Sequence, residues 1–142
     1  MSYTWLIFAI LSALTASLVA IFGKIGLENI DANVATMVRA GIMFAFLILF
    51  TIFNGKLNEV SSIFSNSKAI TYIFLSGIAG ALSWLFYFFA LKLGKVSQVV
   101  PIDRLSIVFA IILAFFILGE KISLKVAVGS ALVVAGAIII AL

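Results

Sequence analysis

Five long apolar runs follow one another in a chain of 142 residues, and that succession constrains the fold more than any other feature. They cover residues 3–23, 32–53, 69–91, 96–118 and 123–142, the first reaching back to Met1. A helix needs roughly 20 apolar residues to cross a hydrocarbon core of about 30 Å, and no soluble fold explains five such runs in a row. Only 10% of the residues are charged, against about 25% in soluble domains. The expectation is an all-α integral membrane protein: five transmembrane helices forming one domain over residues 1–142, with no room for a second, soluble one.

The first run is expected to stay as a helix rather than to act as a leader. It lacks a basic start, exceeds the ~7–15 apolar residues of a signal peptide, and is followed by four more runs.

The same residues exclude several chemistries. The net charge of +4 comes from basic residues scattered singly along the chain. In short loops they match lipid headgroups, not nucleic acid. There is no histidine and no cysteine, so disulfides, thiol nucleophiles and the common zinc and haem ligand sets are out. No metal site, cofactor or catalytic triad is expected, and an enzyme is disfavoured.

The connections, residues 24–31, 54–68, 92–95 and 119–125, are short enough to make consecutive helices antiparallel neighbours. Only the second has length to spare. Its apolar residues Leu57, Val60, Ile63 and Phe64 fit one face of a short interfacial helix, or a polar loop with a few lipid contacts. Small residues recur at every fourth position: Ala9, Ala13 and Ser17; Gly77 and Ala81; Ala127, Ala131 and Ala135. Such stripes allow close helix approach in lipid, within a subunit or between subunits.

Five spans place Lys56, Lys68, Lys121 and Lys125 on one side of the membrane and Lys24, Lys92 and Lys95 on the other, with Arg39 and Arg104 nearer the second side. Orientation normally follows an excess of Lys and Arg on the cytoplasmic face. Here the excess is missing, so the chain has the charge pattern of dual insertion, unless weaker cues fix one orientation. Many transporters pair two inverted repeats. An odd-spanning unit reaches that architecture as an antiparallel homodimer or with a partner chain.

The stretch 80–123 reads GALSWLFYFFALKLGKVSQVVPIDRLSIVFAIILAFFILGEKIS. Its aromatic-rich third span ends in Ala90-Leu91-Lys92, a short turn follows, Pro101 lies in the fourth span, and Gly119-Glu120 closes it. With Arg39 near the start of span two, this resembles an EamA-type repeat of the drug/metabolite transporter superfamily, over essentially the whole chain. The resemblance implies one five-helix repeat where typical members carry two. It also implies movement of a small molecule by alternating access, and dimerisation. The proton-coupling glutamate in the first helix of small multidrug relatives has no counterpart here.

Charged side chains at membrane depth cost ~2.5–3.5 kcal/mol each on insertion scales, which singles out Arg39, Asp103 and Arg104. Asp103 follows Pro101, whose missing N–H frees the carbonyl of Ser97. With Gln98 and Ser106 it makes a polar, loosened helix segment like the broken helices of transporters. Asp103 is either a proton or cationic-substrate site or half of an ion pair with Arg39 or Arg104. Arg104 points about 100° away from Asp103 and is expected to snorkel to the headgroups. Arg39 either snorkels too or faces a cavity, holding an anionic substrate by a bidentate contact. Trp84 and Tyr87 share a face of span three. They either line a cavity for an apolar or cationic substrate or pack among phenylalanines. Gly119 suits a helix C-terminus, which leaves Glu120 at the interface.

Three functions fit. The first is a small-molecule transporter acting as an antiparallel homodimer among membrane lipids. The second is a flippase subunit for a lipid-linked amphiphile, with a partner chain. The third is a non-transporting membrane subunit. The expected location is a prokaryotic inner membrane.

Overall fold

The computed structural model describes residues 3–142. Met1 and Ser2, which the first run and the 1–142 domain include, lie outside the described residues. Among those residues there is no strand. The elements are α1 (Thr4–Gly26), α2 (Ala32–Phe53), α3 (Val60–Ser65), α4 (Ser67–Leu93), α5 (Val96–Asp103), α6 (Ser106–Leu113) and α7 (Leu124–Ala141). A 3-10 turn, Leu57–Glu59, precedes α3, and a π-helical segment, Ala114–Leu118, follows α6. Among the described residues five helical segments are long and apolar enough to cross a membrane: α1, α2, α4, Val96–Leu118 and α7. The outward surface is apolar, as a lipid solvent requires: Phe44 is 68% exposed, Phe116 76% and Ile139 76%.

The helix ends depart from the apolar runs in a consistent way. α1 continues to Gly26 rather than stopping at 23, and α4 covers Ser67–Leu93 rather than 69–91. The added turns carry Lys24, Lys68 and Lys92. A lysine interrupts an apolar run, but it does not interrupt a helix, and its long stem reaches out of the lipid. Local capping sets the remaining ends. Asp31 Oδ1 accepts from the N–H groups of Asn33 (2.9 Å) and Val34 (3.3 Å) at the start of α2. Asn66 Oδ1 accepts from Ala69 N–H at 3.0 Å, and Ser123 Oγ from Val126 N–H at 3.3 Å. α2 closes through Gly55 at φ +68°. Gly55 N–H donates to Ile52 (2.9 Å) and Lys56 N–H to Thr51 (3.1 Å), the paired bonds of a Schellman end.

The chain divides into two compact units, Met1–Lys24 with Leu93–Leu142, and Ile25–Lys92. In the first, α5 packs chiefly on α7, and α6 follows it along the same helix. The Gln98 side-chain amide donates to the carbonyl of Ala141 at 3.3 Å, tying α5 to the end of α7. Lys24 Nζ donates to the Gly94 carbonyl at 2.8 Å. In the second unit, Lys92 Nζ donates to the Ile30 carbonyl at 2.8 Å. Its buried residues include Leu27, Ala32, Phe88 and Leu91.

Among the described residues the small-residue stripes lie on exposed faces. Ala9, Ala13, Ser17, Gly77, Ala81, Ala127, Ala131 and Ala135 are all exposed, and a Cβ added at Gly77 would meet nothing within 4 Å. On α7 the sheltered face is Val133, Val134 and Ala137 instead.

Candidate functional site

The unit Ile25–Lys92 brings three of the sequence-selected residues together. Arg39 is the eighth residue of α2, about 10 Å along the helix from its start at 1.5 Å per residue. Its guanidinium carbon lies 3.5 Å from the centroid of the Trp84 ring. Trp84 and Tyr87 meet edge to face at 5.6 Å. Phe88, which sequence reasoning did not select, completes the cluster. It meets Trp84 edge to face at 6.0 Å and Tyr87 at 6.3 Å, and its own ring is 5.6 Å from the Arg39 carbon. The available signal was spacing: Phe88 is four residues past Trp84, one helical turn on the same face.

The physics of the cluster is a cation lying on π faces. A guanidinium over a tryptophan gains about 0.5–2 kcal/mol, more as water is excluded, against an insertion cost of about 2.5–3.5 kcal/mol for an arginine at the helix centre. The stack therefore offsets part of the cost and leaves the charge itself uncancelled. The acids of this unit are Glu28, Asp31 and Glu59, and among the described residues none pairs with Arg39. Asp31 is engaged in capping α2. Those backbone bonds, from Asn33 and then Val34, hold its carboxyl below the usual carboxylate range, and burial opposes them only weakly.

The other unit holds Gln98, Pro101 and Asp103. The fourth span is interrupted at Arg104–Leu105, directly after Asp103 and three residues past Pro101. There the hydrogen bonds shorten to three-residue reach: Leu105 to Ile102 at 3.0 Å, Ile107 to Arg104 at 3.1 Å and Val108 to Leu105 at 3.0 Å. Arg104 N–H is shared between Val100 (3.3 Å) and Pro101 (3.2 Å). Asp103 is half-buried, Arg104 is exposed, and among the described residues no ion pair joins them. Asp103 is the last residue of α5, just before the N-terminus of α6. Gln98 is exposed, with its amide on Ala141 as described. Glu120 is exposed beyond Gly119, which closes the π segment at φ +70°.

Beside this interruption lies a cavity of about 330 Å³, lined by residues of α1, α5 and α7 that include Ser17, Ala20, Ile21, Val100, Pro101 and Ile140. Its walls are almost wholly apolar. No group of three or more potential metal-ligating side chains occurs among the described residues.

Residues 3–142 match the EamA-like transporter family. A protein of Sinorhizobium sp. named "Uncharacterized transporter in cobO 3'region" is 38% identical over 141 residues, which is 99% of this chain and 99% of that protein. No solved structure matches.

Proposed function

The chain belongs to the EamA-like transporter family as a membrane-embedded, multi-pass protein, and on that premise we propose that it carries a small molecule across a prokaryotic inner membrane by alternating access, as an antiparallel homodimer. The observation that carries the reading is the extent of the match: one repeat of five membrane-spanning helices accounts for residues 3–142. An odd number of spans inverts one copy relative to another if the two insert in opposite senses, which supplies the paired inverted repeats of many transporters. The near-even division of lysines between the two sides permits that insertion. The exposed small-residue stripes are available for packing between copies.

In this reading the interrupted fourth span is the moving part. α5 and α6 meet at a junction where the regular four-residue hydrogen bonding has lapsed, so a change of angle there breaks few bonds. Asp103 at that junction is the coupling group. It holds a proton or cation in one state and releases it in the other, while Gln98, Arg39, Trp84 and Tyr87 contribute to substrate binding.

The test is uptake of a panel of labelled amino acids, nucleosides and sugars into vesicles containing the purified protein, with and without a proton gradient. Saturable, gradient-dependent uptake of some panel member is expected, with Asp103→Asn losing gradient dependence at normal expression. Uptake no greater than in protein-free vesicles would overturn the transporter reading and favour a non-transporting subunit. A flippase subunit for an amphiphile is the second reading. It is favoured by the apolar cavity beside Pro101, which fits a hydrocarbon chain better than a polar solute.

A further inference from the structure

Trp84 and Tyr87 of α4 can line a cavity for an apolar or cationic substrate or pack among phenylalanines, and Arg39 can snorkel or hold an anionic substrate; the position of Arg39 bears on both choices. The best π face in the cluster is that of Trp84, and the chain's own guanidinium lies on it at 3.5 Å, with Phe88 at 5.6 Å on the same carbon. A substrate cation would have to displace a tethered one. It would also have to approach an arginine whose charge no carboxylate of its unit cancels.

The geometry favours the opposite ligand. A guanidinium is planar, with all five N–H donors in its plane. When its flat face lies on an indole, those donors point outward along the edge, in the fork that matches the two oxygens of a carboxylate or phosphate. Among the described residues no hydrogen-bond acceptor engages the Arg39 fork. No fully buried side-chain nitrogen or oxygen lacks a partner either, so the unbonded donors are reachable rather than entombed. Stacking also fixes the rotamer before the ligand arrives, which lowers the ordering cost of a two-point contact.

We infer that Arg39, held over the Trp84 ring at 3.5 Å with Phe88 beside it, is an oxyanion-binding site that takes the carboxylate or phosphate of its ligand edge-on. The inference rests on the transporter reading only in calling that ligand a substrate. The oxyanion belongs either to a solute or to a phospholipid headgroup, and the experiment distinguishes the two.

Trp84 is the natural reporter, because the only other tryptophan is Trp5. The protein carrying Trp5→Phe, in a non-ionic detergent, is titrated with benzoate, phenyl phosphate and benzylammonium while Trp84 emission is followed. Saturable change with the two anions and none with benzylammonium is expected. In the same background, Arg39→Lys should weaken anion binding about tenfold or more, since the ammonium loses the planar fork. Arg39→Gln should abolish it, with helical circular dichroism unchanged. Benzylammonium acting at or below the concentration of benzoate would overturn the proposal, even if the Arg39 variants fail to fold. So would an Arg39→Gln protein that titrates like its parent. Adding phosphatidylglycerol to the micelles identifies the source. Benzoate binding without lipid marks a solute site. A response to phosphatidylglycerol that benzoate cannot displace marks a headgroup site, and either supports the oxyanion assignment. Anion binding that survives without any vesicle uptake would remove the transporter reading and leave this site standing.

Discussion

Each of the two units places an ionisable side chain along a membrane-spanning segment, and the surroundings differ. In Ile25–Lys92 the helices α2 and α4 run unbroken, and the group is the Arg39 guanidinium lying over ring faces. In the other unit the group is the Asp103 carboxyl, and the helix is interrupted immediately after it. The contrast follows from the sign of the charge. Aromatic faces carry negative electrostatic character, so apolar side chains shelter an arginine without disturbing any backbone. They offer a carboxyl group nothing, and beside Asp103 it is the backbone that changes, to three-residue hydrogen bonds. The Arg39 site is therefore built from side chains on regular helices. The Asp103 region is built around irregular main chain.

The sharpest way to break the comparison is Pro101→Ala. Restoring an N–H donor toward the Ser97 carbonyl and removing the ring clash should stabilise the fourth span by up to about 3 kcal/mol. The same change should slow vesicle uptake, if the junction is the moving part. Thermal unfolding in micelles alongside uptake measures both, and a lower melting temperature would show that the proline is accommodated without strain. Next in size is Trp84→Leu, which removes the ring beneath Arg39 and should cost about 0.5–2 kcal/mol, read from the same melting curves. If it costs nothing, the Trp84 ring does not stabilise the Arg39 site.

The smallest effect concerns Asp31, which belongs to neither charge site and so calibrates both. Its folded pKa is lowered, so its stabilisation of α2 is complete above the usual carboxylate value of about 3.9. It is lost as pH falls through the lower folded value. Asp31→Asn keeps the cap but should abolish that acid-side loss in a helicity titration. An unchanged titration would assign the loss to another carboxylate.

The sequence exposes the five spans because lipid demands apolar length, and length survives any detail of packing. The helices run past the apolar runs where they take in Lys24, Lys68 and Lys92: hydropathy registers a lysine's charge and not its helix-compatible backbone. Arg39, Trp84 and Tyr87 could each be picked out, the first by its charge and the others by their shared face. That Arg39 lies on Trp84 could not be read, because no local rule sets the register between α2 and α4. Phe88 was lost among the fourteen phenylalanines of the chain. Pro101 pointed to a loosened segment, but the interruption falls three residues later, where the choice between four- and three-residue hydrogen bonds depends on neighbours in space. The roles assigned to Asp103 and Gln98 were drawn from membrane depth and from their spacing around Pro101, and geometry added a helix junction for one and the Ala141 carbonyl for the other.

The π segment Ala114–Leu118 ends the fourth span with hydrogen bonds that enclose one residue more than an α turn does. That extra residue is slack in the chain. A turn of that kind can be tightened by one residue next to the Gly119 corner at the cost of few bonds. One residue also corresponds to about 100° of rotation. The same turn therefore sets the direction in which the chain leaves the lipid, and with it the bearing of Glu120 and Lys121 toward the headgroups.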